Sequence, residues 1–99
     1  MNKEDPSRLK IELYSRDNCE WCEFAKDLLA THNLLYTEYK FGVDYTKDIL
    51  KLRLGLSDDA PLTVPQIFIN DKAVGGFNDL KSFLDMSSTF DILINRTWS

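Results

Sequence analysis

Cysteine is scarce in this sequence, and the scarcity excludes most of its uses. Cys19 and Cys22 are the only two, three positions apart. Disulfide-stapled secreted domains carry several pairs. A structural zinc site takes about four ligands, and a single histidine, His32, is all that joins the two cysteines. A bridge between Cys19 and Cys22 closes almost no loop in the unfolded chain, so stabilisation is a poor reason for it. Two uses remain: a redox pair, or two buried structural cysteines at the start of a helix.

Long apolar runs are missing as well. No stretch approaches the roughly 20 apolar residues of a membrane span. The polar start, Met1 to Lys10 with Asp5, Pro6 and Arg8, lacks the apolar segment of a signal peptide. Lys and Arg number 12 against 16 Asp and Glu, a net charge of −4, and the positive charges do not cluster along the chain. That argues against the basic stripe of a nucleic-acid or anionic-membrane binder. The expectation is a soluble, cytoplasmic monomer with neither nucleic acid nor membrane as partner. Within those limits the composition is ordinary for one domain, with 43% hydrophobic and 28% charged residues.

Residues 1–8 read as a flexible lead. Leu9, Ile11 and Leu13 alternate with Lys10, Glu12 and Tyr14, which predicts a strand with one buried face. Ser15-Arg16-Asp17-Asn18 is turn-like. From Cys19 the period becomes helical, with Cys22, Ala25, Leu28 and Leu29 on one face and an end near His32-Asn33. Leu35 to Phe41 alternates as a second strand, broken by Gly42. Asp44 is the expected N-cap of a second helix, with Tyr45, Ile49 and Leu52 on one stripe and Gly55 near its end. A polar loop over 57–62 leads through Thr63-Val64-Pro65 to the strand Gln66-Ile67-Phe68-Ile69. Asn70-Asp71-Lys72 predicts a tight turn into Ala73-Val74-Gly75, hence a hairpin. Gly76 leads into a third helix carrying Leu80, Phe83 and Leu84. Phe90, Leu93, Ile94 and Trp98 keep helical spacing in a C-terminal extension, 87–99, expected to pack on a domain spanning 9–86. The order β-α-β-α-β-β-α argues for an α/β fold, a four-stranded mixed sheet flanked by helices.

Cys19-Glu20-Trp21-Cys22 falls where the first strand turns into the first helix, the placement that a redox C-x-x-C needs. The first helical turn has unpaired N–H groups and a partial positive charge. Both stabilise a thiolate at Cys19, and the thiolate is the nucleophile. Arg16, just upstream, adds a second positive influence. Cys22 lies one turn on, on the predicted core face. The asymmetry predicts roles: Cys19, the exposed thiol, attacks a substrate disulfide, and the sheltered Cys22 then attacks Cys19 and releases the substrate. No metal is expected.

Four features, in this order between Lys10 and Asp85, carry a resemblance: Cys19-Glu20-Trp21-Cys22 after a strand, Thr63-Val64-Pro65, the strand Gln66-Ile67-Phe68-Ile69-Asn70, and Gly75-Gly76-Phe77-Asn78-Asp79. The sequence resembles the glutaredoxins, the glutathione-dependent branch of the thioredoxin-like fold. The resemblance implies a dithiol oxidoreductase that reduces protein disulfides or glutathione mixed disulfides. It implies glutathione as co-substrate and ribonucleotide reductase as a candidate protein partner. It also implies a site. Pro65 looks like the cis-proline that faces the active-site cysteines, although spacing alone favours a trans proline opening a strand. Thr63 and Val64 precede it, and the backbone of Val64 would pair with the peptide-like backbone of glutathione. Gly75 and Gly76 let the chain turn and a ligand approach. Asn78 and Asp79 would hold the γ-glutamyl end, its carboxylate by the helix N-terminus and its ammonium by Asp79. Both would also serve as helix caps, and the two roles are compatible. Arg16 matches a position where the family often carries Lys or Arg, and is either a contact for the glycine carboxylate of glutathione or a solvated charge. Trp21 takes the family's usual Tyr position, either packing against the tripeptide or screening Cys22.

The motif also departs from the family's familiar pattern. Glu20 stands where Pro is usual. Its charge opposes a thiolate at Cys19, while a carboxylate in the first turn favours the helix. Among family members lacking that Pro, some hold a [2Fe–2S] cluster between two protomers, using the first Cys of each and two glutathiones. The resemblance therefore carries an alternative function, a dimeric cluster carrier or sensor.

Overall fold

The structure is a computed structural model and describes residues 9–86. The lead expected over 1–8 and the helical extension expected over 87–99 lie outside the described residues. Segments of alternating polarity form β1 (Ile11–Ser15), β2 (Thr37–Lys40), β3 (Gln66–Ile69) and β4 (Lys72–Gly75). Segments of helical period form α1 (Glu20–Thr31), α2 (Lys47–Leu54) and α3 over residues 77–86. The strands make one mixed sheet in the order β2-β1-β3-β4. β1 and β2 are parallel, with α1 as the crossover between them, while β3 runs antiparallel to both β1 and β4. This is the thioredoxin-like arrangement that the resemblance implies.

Register brings the site together. Tyr14 lies opposite Gln66, Ile67 opposite Gly75, and Ser15 beside Lys40. The C-terminal ends of β1, β2 and β4 therefore share one edge of the sheet with the N-terminal end of β3. The loop to Cys19, the Thr63-Val64-Pro65 segment and the Gly75-Gly76 turn all meet at that edge. At the opposite edge Asn70 and Asp71, with φ of 52° and 69°, make a two-residue turn between β3 and β4. Paired positive φ values suit the twist of a hairpin, and Asn and Asp tolerate them well.

β1 has no wet face, contrary to its alternating pattern. All five of its residues are buried, because helices cover both sides of the sheet. Ile11 and Leu13 pack with Ile67 and Ile69 under α1 and α3, through Ala25, Leu29, Leu80 and Leu84. Tyr14 and Phe68 point to the other face and pack with Tyr45 and Leu50 under α2. Glu12 faces that way too. Its carboxylate accepts from Arg53 at 2.8 Å and from the Tyr39 hydroxyl at 3.1 Å. The Arg53 guanidinium lies 3.9 Å from the Phe68 ring centroid and also donates to the Tyr14 hydroxyl at 2.8 Å. The hydrogen bond from Arg53 holds the Glu12 carboxyl below its ordinary pKa.

Three further expectations are corrected, one at the sheet's edge and two in α2. β2 starts at Thr37, and Leu35 is 90% exposed, since an edge strand needs only a short paired segment. Thr46 caps α2, its hydroxyl accepting from Ile49 N at 3.3 Å. Asp44 instead accepts from Lys40 N at 2.9 Å and closes the Gly42 turn. The buried stripe holds Leu50 and Lys51, whereas Ile49 is exposed and Leu52 is 82% exposed. The segment Asp48-Ile49-Leu50-Lys51-Leu52-Arg53-Leu54 offers two apolar stripes, and packing of Leu50 on Phe68 selects between them. Gly55 ends the helix in the left-handed conformation, φ 75°.

Candidate active site

Cys19 is the N-cap of α1, extended at φ −121° and ψ 104°, and its Sγ accepts from the Cys22 amide at 3.2 Å. The sulfurs of Cys19 and Cys22 are bonded to each other. The first-turn amides thus stand beside the sulfur that a thiolate would occupy. Cys22 is 0% exposed and Cys19 7%. The expected order of exposure holds, but Cys19 is not open in this disulfide state. Its Sγ lies 3.8 Å from the Val64 carbonyl oxygen, so the segment before β3 covers it. Glu20 is exposed and points its charge at solvent, and Glu23 pairs with Lys26 at 2.9 Å. Lys26 also reaches Glu38 at 3.1 Å, and Glu38 accepts from the buried Ser15 hydroxyl at 2.6 Å. That chain ties α1 to β1 and β2 directly behind the cysteines.

The Val64–Pro65 peptide is cis. The Gln66 amide braces the segment, donating to the Thr63 carbonyl at 2.9 Å and to its hydroxyl at 3.3 Å. Beside it runs a groove of about 320 Å³, lined by Trp21, Thr63, Val64, Pro65, Gln66, Gly75, Gly76, Phe77, Asn78 and Asp79. Every glutathione contact expected from the sequence lies in it except Arg16. Arg16 lines a neighbouring cavity of about 450 Å³ that shares Thr63 and Val64 with the groove.

At the far end of the groove the chain enters α3. Asp79 Oδ2 accepts from Gly76 N at 3.0 Å, and Leu80 N donates to Gly76 O at 2.9 Å. Gly76 is therefore the N-cap, and Asp79 reaches back to it as in a capping box. The amides of Phe77, Asn78 and Asp79 belong to the first turn and have no intrahelical carbonyl partner. Gly75 has φ 122°, and a Cβ there would collide with the Asp79 carboxylate. Gly75→Ala is expected to cost about 1–3 kcal/mol of stability, through both backbone strain and displacement of Asp79. Urea denaturation checks this, and an unchanged midpoint refutes it.

A family model described as glutaredoxin matches residues 11–74. This chain belongs to the glutaredoxin family. Glutaredoxin 3 of Escherichia coli (strain K12) is 33% identical over 86 residues, covering 85% of this chain and 95% of the relative. Glutaredoxin 1 of Rickettsia bellii is 33% identical over 84 residues, covering 85% of each. The crystal structure of glutaredoxin 1 from Francisella tularensis matches with a TM-score of 0.64 at 27% identity, over 82% of this chain and 98% of that one. Family membership and the Cys19–Cys22 pair identify a thiol–disulfide oxidoreductase.

In this glutaredoxin, Trp21 forms a wall of the groove. It is 52% exposed and packs 5.5 Å from Phe77 and 5.4 Å from Phe24, ring to ring. Phe77 and Gln66 line the groove although no glutathione contact is expected of them from sequence; both lie inside the motifs that carry the resemblance. Each directly follows a residue of which a contact is expected, Gly76 and Pro65, and that adjacency is the available signal. His32 caps the C-terminal end of α1, its Nδ1 3.0 Å from the Leu28 carbonyl oxygen, and lies outside the groove lining. Among the described residues, no group of three or more His, Cys, Asp and Glu gathers around a metal position, and no helix is long and apolar enough to cross a membrane.

Proposed function

We propose that this glutaredoxin is a dithiol, glutathione-dependent enzyme that reduces protein disulfides and glutathione mixed disulfides. One observation carries the proposal: a single groove runs from the α3 amides and Asp79, past Gly76 and Pro65, to Val64, whose carbonyl oxygen lies 3.8 Å from Cys19 Sγ. A tripeptide fits that chemistry in one direction. Its γ-glutamyl carboxylate sits on the amides of Phe77 and Asn78, its ammonium faces Asp79, and its cysteinyl backbone pairs with Val64. Its glycine carboxylate then lies toward Arg16, and Trp21 closes the side.

Reduction follows from thiol–disulfide exchange. The Cys19 thiolate attacks one sulfur of the substrate disulfide, forming a mixed disulfide and expelling the other sulfur as a thiolate. Cys22, deprotonated, attacks Cys19 Sγ and expels the second substrate thiolate, which leaves the Cys19–Cys22 disulfide. Two glutathione molecules return the two electrons and depart as glutathione disulfide. Ribonucleotide reductase is the candidate protein substrate, and the proposed setting is the cytoplasm, with the enzyme acting as a monomer.

Asp79 is the residue to test, because it serves both the helix and the proposed ligand. Asp79→Asn keeps an oxygen for Gly76 N but removes the charge. It is expected to raise the KM for glutathione about tenfold, the scale of one charge-assisted hydrogen bond, with stability nearly unchanged. Asp79→Ala should show the same kinetic loss plus about 1 kcal/mol of lost helix capping. If neither variant alters the KM, Asp79 is a cap only and the glutathione seat is wrong. Purification under anaerobic conditions with glutathione should give colourless protein. A brown dimer that bleaches when glutathione is removed would establish the [2Fe–2S] alternative.

A further inference from the structure

Val64 stands between two cavities. The one toward α3 is the proposed glutathione groove. The other, about 450 Å³, lies toward α2, with Phe41, Tyr45, Leu62 and Val64 as apolar walls and Arg16 and Lys47 as its charged lining. No Asp or Glu lines it, in a chain whose net charge is −4. Among the described residues, Lys10, Lys26, Lys40, Arg53 and Lys81 each meet a carboxylate, and Lys51 donates to the Asp58 carbonyl, while Lys72 on β4 has no ion pair but lines neither cavity. Among the described residues, Arg16 and Lys47 form no ion pair, and Arg16 donates to the carbonyls of Asp17 and Asn18 at 3.3 and 3.4 Å. The positive charges that look dispersed along the sequence are thus paired in space here, one from the loop after β1 and one from the first turn of α2.

Glutathione explains only part of this cavity. Its glycine carboxylate reaches Arg16, and the tripeptide has no residue left for Lys47, Phe41 or Leu62. A polypeptide that pairs with Val64 in the same direction continues past Arg16. We propose that this cavity is the subsite for the segment of a protein substrate just C-terminal to its reacting cysteine, and that it selects segments carrying a carboxylate beside an apolar side chain. The carboxylate meets Arg16 and Lys47, and the apolar side chain lies against Phe41 and Leu62. The inference rests on the proposed direction of glutathione along Val64.

The test is single-turnover exchange between the reduced full-length protein and two synthetic peptides, with no glutathione present. Each peptide is closed by one internal disulfide, with Glu-Phe after each cysteine in one and Lys-Phe in the other. Two electrons pass from Cys19 and Cys22 to the peptide, which opens to a dithiol. At low salt the wild type is expected to reduce the Glu peptide about tenfold faster than the Lys peptide. The margin should collapse at about 1 M salt, where the screening length falls to about 3 Å. Lys47→Glu puts a carboxylate in the first turn of α2, which suits the helix. It should erase or invert the preference while leaving glutathione-coupled reduction of a small mixed disulfide unchanged. Equal rates for both peptides in the wild type, or a preference untouched by Lys47→Glu, overturn the proposal. Loss of the peptide preference together with loss of glutathione-coupled activity in Lys47→Glu upholds the subsite and overturns the proposed glutathione seat instead, since the tripeptide then depends on Lys47 as well.

Discussion

Cys19→Ser is expected to lower glutathione-coupled disulfide reduction by at least about 1,000-fold, the scale of removing a nucleophile. A serine hydroxyl is not ionised near neutral pH and cannot form the mixed disulfide on which exchange depends. No neighbour can substitute, because the other sulfur, Cys22, is fully buried beneath α1. Cys22→Ser should behave differently. The attacking thiol remains at the N-cap, so a small glutathione mixed disulfide is still cleaved, with a second glutathione resolving the intermediate. Reduction of a protein disulfide should fall much further in that variant, because its resolving sulfur is gone. Assaying both substrates with both variants checks the assignment. Full activity of Cys19→Ser, or equal losses for Cys22→Ser on the two substrates, would reverse or erase the division of labour.

A stability effect of comparable weight is expected on the opposite face of the sheet. Glu12 is buried, and Arg53 answers it at 2.8 Å while covering the Phe68 ring. Arg53→Met keeps much of the apolar stem but strands the carboxylate, at a cost of about 3 kcal/mol at neutral pH. Adding Glu12→Gln should recover much of that loss, since the stranded charge is then gone. The pH dependence has a definite sign. In the wild type the hydrogen bond from Arg53 lowers the Glu12 pKa below its ordinary 4.5. Its stabilisation is therefore complete above that value and is lost as the pH falls through the lower, folded-state pKa. In Arg53→Met that hydrogen bond is gone while burial remains, so the Glu12 pKa lies higher than in the wild type and protonation relieves the variant first on acidification. The gap between the two proteins should narrow from neutral pH to about pH 4. Glu38, lowered chiefly by its hydrogen bond from Ser15, is common to both and cancels in the difference. Urea denaturation of both proteins at the two pH values decides it, and a constant gap means that Arg53 acts by packing alone.

Legibility in the sequence followed the range of the interactions. The cysteine pair was readable because its setting is local: a strand, a short turn and a helix start within about one contiguous run. The groove was readable in pieces, since Thr63-Val64-Pro65 and Gly75-Gly76-Phe77-Asn78-Asp79 are each contiguous and the hairpin brings them together. The approach of this segment to Cys19 was legible only through the resemblance, which sets Pro65 against the cysteines; spacing alone does not show it, because Val64 is 45 residues away. Spacing is equally silent on the Glu12–Arg53 contact, 41 residues apart. β1 and α2 were misread for a related reason. Burial of Glu12 depends on a partner that alternation does not reveal, and the choice between two apolar stripes in α2 was made by Phe68 of another strand.

The sheet also acts as a partition. Cys22 lies in α1, the groove ends at α3, and both helices rest on the Ile11, Leu13, Ile67 and Ile69 side. Tyr45 and Lys47 belong to the α2 side, which rests on Tyr14 and Phe68. On the proposed reading, the machinery for moving electrons occupies one layer and the choice of who receives them occupies the other. Val64 is the point where the two layers meet. A change of client protein could then be written into α2 and its flanking loops while the α1 and α3 layer stays as it is.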